Sequence, residues 1–174
     1  MSDFRPRLKG NKKKAFLNIT KEESRILVIG DLHEPFCLDG YLKFCKETYA
    51  NYNCNKVVFI GDVIDNHYSS YHESDADGLG GATELDFAIK KLSKWYKAFP
   101  KADVTLGNHD RIIMRKAQTS NIPSKWIKEY KDVLEVPNWN FVTEVYYDDV
   151  RYVHGDKSSK ARTAAKRDMV STVT

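Results

Sequence analysis

The sequence contains no apolar run long enough to cross a bilayer, since the longest, around Lys56 to Ile60, has only the length of a strand. Its first segment is polar and basic and lacks the apolar stretch of a secretory signal peptide. The three cysteines, Cys37, Cys45 and Cys54, are odd in number and have no C-x-x-C spacing, which argues against a disulfide framework or a thiolate metal site. We therefore expect free thiols, a cytoplasmic location and no membrane partner.

Apolar residues make up 41% of the 174 positions and charged residues 30%, which is typical of one soluble globular domain with its own core. The net charge is only +4, but basic residues crowd the segments 5–14 and 157–167. Such ends are either solvated surface or an attraction for a polyanion such as nucleic acid, and charge alone does not decide between the two. We expect a basic arm over residues 1–23 and a folded domain over residues 24–174.

Three short apolar runs predict strands that are buried on both faces of a sheet. These runs are Arg25–Gly30, Lys56–Gly61 and Ala102–Gly107. Helical spacing between them predicts helices over Asp39–Tyr49 and Thr83–Phe99, the second of which ends at Pro100. This alternation of strands and helices, with long connections, predicts an α/β fold built on a parallel sheet.

The two predicted helices have recognisable apolar faces. In the first helix, the residues expected to face the core are Leu42, Phe44, Cys45 and Tyr49. In the second, Thr83 and Asp86 suggest part of an N-terminal cap ahead of an apolar stripe. The stripe is expected to be core.

The remaining segments are less regular. His67–Gly81 is rich in Ser, Asp and Gly and predicts a long exposed loop. Ser124–Tyr130 predicts a short helix with Trp126 and Ile127 facing inward. Asn140–Tyr147 and Val150–His154 flank Asp148-Asp149 and predict a β-hairpin, and Ser159–Met169 predicts a final short helix.

A polar cluster stands at the end of each buried run and of the hairpin. The clusters are Asp31-Leu32-His33, Gly61–Asp65, Gly107–Asp110 and His154-Gly155-Asp156. Because sites in open α/β sheets form at the carboxyl ends of the strands, we expect these side chains to converge. Gly30, Gly61 and Gly107 would let the backbone turn sharply and approach a ligand closely. Carboxylates, imidazoles and a carboxamide suit Mn²⁺, Fe or Zn²⁺, and a pair of such ions can clamp a phosphoryl group.

Each of these residues also has an ordinary structural explanation. Asp31 and Asp62 are good helix caps, Asn108 is a common turn residue, and His109 suits a structural histidine. A chance placement of all four clusters at strand ends is a weaker explanation than a common metal site. His67 and His72 belong to no motif and are expected to be surface residues.

The combination D-x-H at Asp31, G-D-x-x-D at Gly61, G-N-H-D at Gly107 and the later His154 resembles the calcineurin-like metallophosphoesterase superfamily. The resemblance runs from Arg25 to about Asp156, most of the chain. It implies a four-layer α/β/β/α sandwich. It also implies a phosphoesterase that uses two divalent metal ions, Mn²⁺ first, with Fe, Zn²⁺ or Mg²⁺ as the other choices.

The resemblance implies a role for each motif residue. Asp31 and His33 would bind the first metal, Asp62 would bridge both, and Asn108 and His154 would bind the second. The catalytic pair would be His109, which faces the phosphate and protonates the leaving oxygen, and Asp65, which accepts a hydrogen bond from the His109 ring. A metal-bridging hydroxide would attack the phosphorus in line with the leaving group.

Two departures from the family pattern qualify these expectations. Asn66-His67 stands where family members that act on phosphoproteins have Arg-Gly, and Glu34 stands where they have Gly, which argues against a Ser/Thr protein phosphatase. The family's last motif, G-H-x-H, is missing after His154. Either the chain lacks its C-terminal part, which we favour because every other ligand is intact, or it is a relative with a degraded site. We expect an incomplete second sheet, three protein ligands for each metal and weak metal occupancy.

The substrate is the least determined expectation. The missing arginine, the basic ends and the aromatic loop His67–Gly81 favour a phosphodiester of a nucleotide or nucleic acid. A general phosphomonoesterase is the alternative within enzymes. The alternative of another class is a non-catalytic module that binds a phosphorylated partner or nucleic acid through an incomplete metal site. The oligomeric state is not indicated.

Overall fold

The computed structural model describes residues 24–73, 75–155 and 171–174. The predicted N-terminal arm, residues 1–23, and the predicted helix Ser159–Met169 lie outside the described residues.

A four-stranded parallel sheet forms the centre of the fold. Its strands are β1 (Ile26–Ile29), β2 (Lys56–Phe59), β3 (Ala102–Thr105) and β4 (Trp139–Val142), in the spatial order β1-β2-β3-β4. The three predicted strands are therefore confirmed, together with the α/β fold.

The fourth strand corrects the prediction that Asn140–Tyr147 is one arm of a hairpin. Residues 139–142 pair in parallel with β3, with Asn140 opposite Asp103. The fully buried Trp139 anchors this strand, because its indole N–H donates to the carbonyl of Phe99 (2.8 Å) and its ring lies 4.5 Å from that of Phe59. The alternating pattern identified a strand correctly but carried no information on its partner.

The two faces of the parallel sheet pack against different layers. Leu27 and Ile29 belong to a large core that they share with the helices, whereas Val28, between them, packs in a smaller core beneath the second sheet. This alternation follows from the period of two in a β-strand. It explains why the predicted strands are apolar at nearly every position.

The helices are α1 (Tyr41–Asn51), α2 (Gly81–Ala98), α3 (Ile112–Thr119) and α4 (Tyr130–Val133), with 3₁₀ turns at His67–Ser69 and Ser124–Trp126. No helix among these described residues is long and apolar enough to span a membrane. The helices α1 and α2 confirm the two predicted ones, and the short turn at 67–69 interrupts the predicted exposed loop. The helix α3 was not predicted.

Three details of the predicted helices are wrong. Phe44 is 61% exposed, because Cys45 points to the core and its predecessor is turned about 100° away from it. The helix α2 begins two residues before Thr83, at Gly81, and no side chain caps it. Trp126 is 83% exposed on a 3₁₀ turn that is too short to bury an apolar face.

A second sheet of three strands packs on the other face of the parallel sheet. Its strands are β5 (Val145–Tyr147), β6 (Val150–Tyr152) and β7 (Ser171–Val173). The first two form the predicted hairpin, and its turn residues Asp148 and Asp149 both have left-handed backbones. The strand β7 pairs in parallel with β6, so the second sheet extends beyond the hairpin at which the sequence predicted it to stop.

Candidate metal centre

The loops after β1 and β2 are joined by main-chain hydrogen bonds. The amide of His33 donates to the carbonyl of Asp62 (2.9 Å), and the amide of Glu34 donates to that of Val63 (3.1 Å). The amide of Asp65 returns a bond to the carbonyl of Glu34 (3.0 Å). The first two motifs are thereby fixed side by side just beyond the strand ends.

Asp110 joins the third motif to the second. Its carboxylate is 1% exposed and accepts hydrogen bonds from the amides of Asp62 (2.8 Å), Val63 (3.1 Å) and Gly107 (2.8 Å). Burial raises the pKa of Asp110 to about 6, against the lowering effect of these amide donors. Asp110 is the last residue of the G-N-H-D motif. The sequence pattern did not predict that its carboxylate holds the loops of the second and third motifs together.

We expect Asp110→Ala to lower the free energy of unfolding by about 3 kcal/mol or more, because it leaves several buried amide donors without an acceptor. Urea unfolding at neutral pH, followed by circular dichroism, measures the change. Asp86→Ala, on the exposed face of α2, is the matched control. Equal stability of the two variants would show that Asp110 does not hold the loops.

Two of the three predicted glycines are required by close packing. A Cβ at Gly107 would lie 2.0 Å from Oδ1 of Asp62, and one at Gly61 would lie 2.6 Å from Nδ1 of His154 and 2.8 Å from the Gly107 backbone. Gly61 also has a left-handed backbone, with φ of 76°. By contrast, a Cβ at Gly30 would meet nothing within 4 Å, so the expected close approach does not apply there.

Gly107→Ala should therefore lower the free energy of unfolding by about 1–3 kcal/mol, the usual cost of an extra methyl group in a tightly packed place. Urea unfolding of the variant measures this loss. Gly30→Ala adds the same methyl group one residue before Asp31, where space is open. A Gly107 variant as stable as the Gly30 variant would contradict the tight packing of the site.

Three of the candidate ligands have backbones that L-residues rarely adopt. The φ angles of Asp31, His33 and Asp62 are 39°, 48° and 48°, all in the left-handed region. Such conformations persist where the surrounding structure enforces them, and they cluster at functional sites. No sequence pattern indicated these left-handed backbones, although Asp and His adopt them more often than most residues other than glycine.

The three histidines of the site are oriented in the same way. Nδ1 of His33 lies 2.6 Å from Oδ1 of Asp65, Nδ1 of His109 lies 2.5 Å from the carbonyl oxygen of Asp65, and Nδ1 of His154 lies 2.9 Å from the carbonyl oxygen of Ile60. Each Nδ1–H therefore donates to an oxygen, and Nε2 is the ring atom that remains for a ligand. Metal-ligating histidines have this arrangement.

The carboxylate of Asp62 lies between two of these rings. Its Oδ2 is 3.9 Å from Nε2 of His33 and 3.5 Å from Nε2 of His154. Nε2 of His154 is also 2.9 Å from Oδ1 of Asn108. These ring nitrogens and side-chain oxygens converge on one space, which is the arrangement that a bound metal ion suits. The donor set of carboxylate, imidazole and carboxamide oxygen fits Mn²⁺, Fe or Zn²⁺.

The structure thus brings all seven predicted residues together: Asp31, His33, Asp62, Asp65, Asn108, His109 and His154. Among the described residues, two groups have ligand atoms within 4.8 Å of one another, and both contain Asp62. One adds His33 and His109, and the other adds Asp31 and His154. This grouping differs from the expected one, in which Asp31 accompanies His33 and His109 is no ligand.

The contact between Asp65 and His109 also differs in detail from the expectation. The ring of His109 bonds to the main-chain carbonyl of Asp65, while the nearest carboxylate oxygen of Asp65 is 3.6 Å away. That carboxylate instead orients His33. The His33 and His109 rings meet edge to face, with centroids 4.6 Å apart.

Two residues that the sequence flagged only as departures from the family pattern support the site. The side-chain amide of Asn66 donates to the carbonyl of His109 (3.0 Å), tying the second motif to the third. Glu34 is buried and accepts a hydrogen bond from the indole of Trp95 (2.9 Å), and burial raises the pKa of its carboxyl group. The signal for both was their position directly beside a motif.

The cysteines and the two remaining histidines stand apart from this chemistry. All three cysteines are free, as expected, and burial raises the pKa of Cys37 and Cys45 to about 11. Neither thiol is therefore a thiolate at neutral pH. His72 is exposed and His67 is partly exposed.

A parallel α/β sheet that packs on a second sheet and carries carboxylates and imidazoles at its strand ends is the arrangement of a metallophosphoesterase. The sequence pattern of the calcineurin-like phosphoesterase family matches residues 24–172, and the chain belongs to that family. The predicted resemblance is confirmed. No curated protein matches the chain.

Proposed function

We propose that the protein hydrolyses phosphodiesters of nucleotides or nucleic acid with the aid of two divalent metal ions. The observation that carries the proposal is the position of Asp62, whose Oδ2 faces the Nε2 atoms of His33 and His154 together. A shared carboxylate between two separately oriented imidazoles suits a pair of ions, whereas a single ion would leave one imidazole without a role.

The proposed ligands are Asp31, His33, Asp62, Asn108 and His154, with Asp62 common to both ions. Bound ions would supply Lewis-acid chemistry, which activates water and neutralises charge on the phosphate. Mn²⁺ is our first choice, because hard oxygen donors accompany the imidazoles. A cytoplasmic location agrees with the three free cysteines.

His109 is the proposed proton donor to the leaving oxygen. Its Nδ1 is held by the Asp65 carbonyl, so its Nε2 is the atom that would face the substrate. Asp65 supports the pair of imidazoles, through its carbonyl for His109 and through its carboxylate for His33.

The preference for a diester rests on the residue directly after Asp65. A phosphomonoester carries more negative charge than a diester, and an arginine clamp would compensate it. Here Asn66 occupies that place, and its amide is bonded to the His109 carbonyl. A general phosphomonoesterase is the second candidate. A non-catalytic module that binds phosphate or nucleic acid is the third candidate.

The test is hydrolysis of bis-p-nitrophenyl phosphate and p-nitrophenyl phosphate by the chain after removal of metals with EDTA and addition of Mn²⁺. We expect turnover that depends on Mn²⁺ and a higher kcat/KM for the diester. A higher value for the monoester would favour the phosphomonoesterase. An absence of turnover with either ester would favour the binding module.

A further inference from the structure

We infer that an aromatic ledge beside the metal centre binds the nucleoside of a nucleotide phosphodiester. The ledge consists of Tyr68 and Tyr71, located after the second motif, together with Arg115 and Lys116 of α3. This inference rests on the proposed function and narrows it to substrates that carry a base next to the scissile phosphate.

The ledge is continuous with the site. Asn66, one residue after Asp65, is bonded to the carbonyl of His109, and the next two amides, of His67 and Tyr68, donate to the buried carboxylate of Glu84 at 2.8 and 3.0 Å. Three residues of chain span at most about 10 Å, so Tyr68 starts within that distance of Asp65. The position of Tyr68 is therefore fixed relative to the metal ligands.

The two tyrosines present their rings to solvent. Tyr68 is 56% exposed and Tyr71 is 57% exposed. The ring of Tyr68 rests on Gly81, where a Cβ would lie 2.8 Å from its Cδ1 atom. Gly81 therefore contacts one side of the Tyr68 ring, and the rest of that ring is exposed to solvent. Exposed rings in fixed positions are suited to stacking with bases.

Two cations lie over the ring of the outer tyrosine. The Arg115 guanidinium is 5.2 Å and the Lys116 ammonium 5.3 Å from the centroid of the Tyr71 ring, so a base can stack only on the part of this ring that they leave uncovered. Lys116 also donates to the carbonyl of Ser70 (3.2 Å), which ties the loop to α3. A base stacked on the ledge would thus have positive charge nearby for its phosphate.

Acidic residues limit the length of the ligand. Glu73, Asp75 and Asp77 are exposed and follow Tyr71 in the chain, and their negative charge would disfavour a phosphate backbone that ran along this loop. The ledge is therefore suited to one or two nucleotides and not to a long strand.

A matched pair of chromogenic diesters tests the ledge. Thymidine 5′-p-nitrophenyl phosphate and methyl p-nitrophenyl phosphate have the same leaving group and differ in the nucleoside. We expect the first to have a KM about tenfold lower. The ratio of the two KM values should approach one in Tyr68→Ala and Tyr71→Ala and should be retained in Tyr68→Phe and Tyr71→Phe. Tyr52→Ala removes another exposed tyrosine, 71% exposed and directly after α1, and should keep the ratio.

The outcomes separate the ledge from the chemistry. Equal KM values for both esters, or a ratio that survives both alanine variants, would overturn the ledge and leave the proposed function standing. If neither ester is hydrolysed, the proposed function fails, and calorimetric binding of the thymidine ester decides on the ledge. Binding that is lost in Tyr68→Ala would support it, and no binding to the wild type would overturn it.

Discussion

Asp62→Asn is expected to lower Mn²⁺-dependent hydrolysis of bis-p-nitrophenyl phosphate by roughly a thousandfold, which corresponds to about 4 kcal/mol of transition-state stabilisation. The substitution keeps the shape of the side chain but removes the negative charge that both proposed ions share. It also preserves the 2.8 Å hydrogen bond from the His109 amide to Oδ1, because the amide oxygen of an asparagine can still accept it. Steady-state kinetics with saturating Mn²⁺ measures the loss.

The matched control is Asp86→Asn, which makes the same chemical change on the exposed face of α2 and should keep wild-type activity. Circular dichroism of both variants establishes that each is folded. Activity of the Asp62 variant within a few fold of the control would remove the shared carboxylate from the mechanism.

His109→Ala has the second largest expected effect, a loss of about 10²-fold in kcat with Mn²⁺ affinity nearly unchanged, which is the lower end of what a general acid contributes. The reason is that a proton donor acts on the leaving oxygen and holds no ion. The structure makes this a sharp test, because a ring nitrogen of His109 lies in one group with His33 and Asp62. Kinetics and Mn²⁺ titration of the same preparation separate the two roles.

A large loss of Mn²⁺ affinity in His109→Ala would show that His109 is a metal ligand, which its position in one group with His33 and Asp62 allows. An unchanged response in every assay would instead favour the non-catalytic module, for which a proton donor has no use. His72→Ala, at an exposed position on the loop, is the control for loss of an imidazole as such.

A leaving group that needs no proton, such as p-nitrophenolate, should reduce the effect of His109→Ala compared with an alkyl leaving group.

The elements that were predictable from sequence were those with a strong periodic pattern. The strands β1 and β2 are apolar at nearly every position because one face packs on helices and the other on a second sheet. The strand β4 was assigned to the wrong partner, since the pattern of a strand does not state which strand lies beside it. Trp126 was placed inside from its hydrophobicity alone, and tertiary structure left it 83% exposed.

The convergence of the site residues was predictable because parallel strands bring their carboxyl ends to one edge. The finer contacts were not. The buried acceptor Asp110, the left-handed backbones of Asp31, His33 and Asp62, and the use of the Asp65 carbonyl in place of its carboxylate all depend on how the loops pack. Sequence spacing determines which loops meet, whereas loop packing determines which atoms meet.

Titration of the metal-free protein with Mn²⁺, followed by electron paramagnetic resonance of the free ion, tests the central claim most directly. We predict about two bound ions per chain in the wild type and a large loss of both in Asp62→Asn, because the two proposed sites share that carboxylate. Binding of a single ion, or of two ions with unchanged affinity in Asp62→Asn, would contradict a metal pair bridged by Asp62.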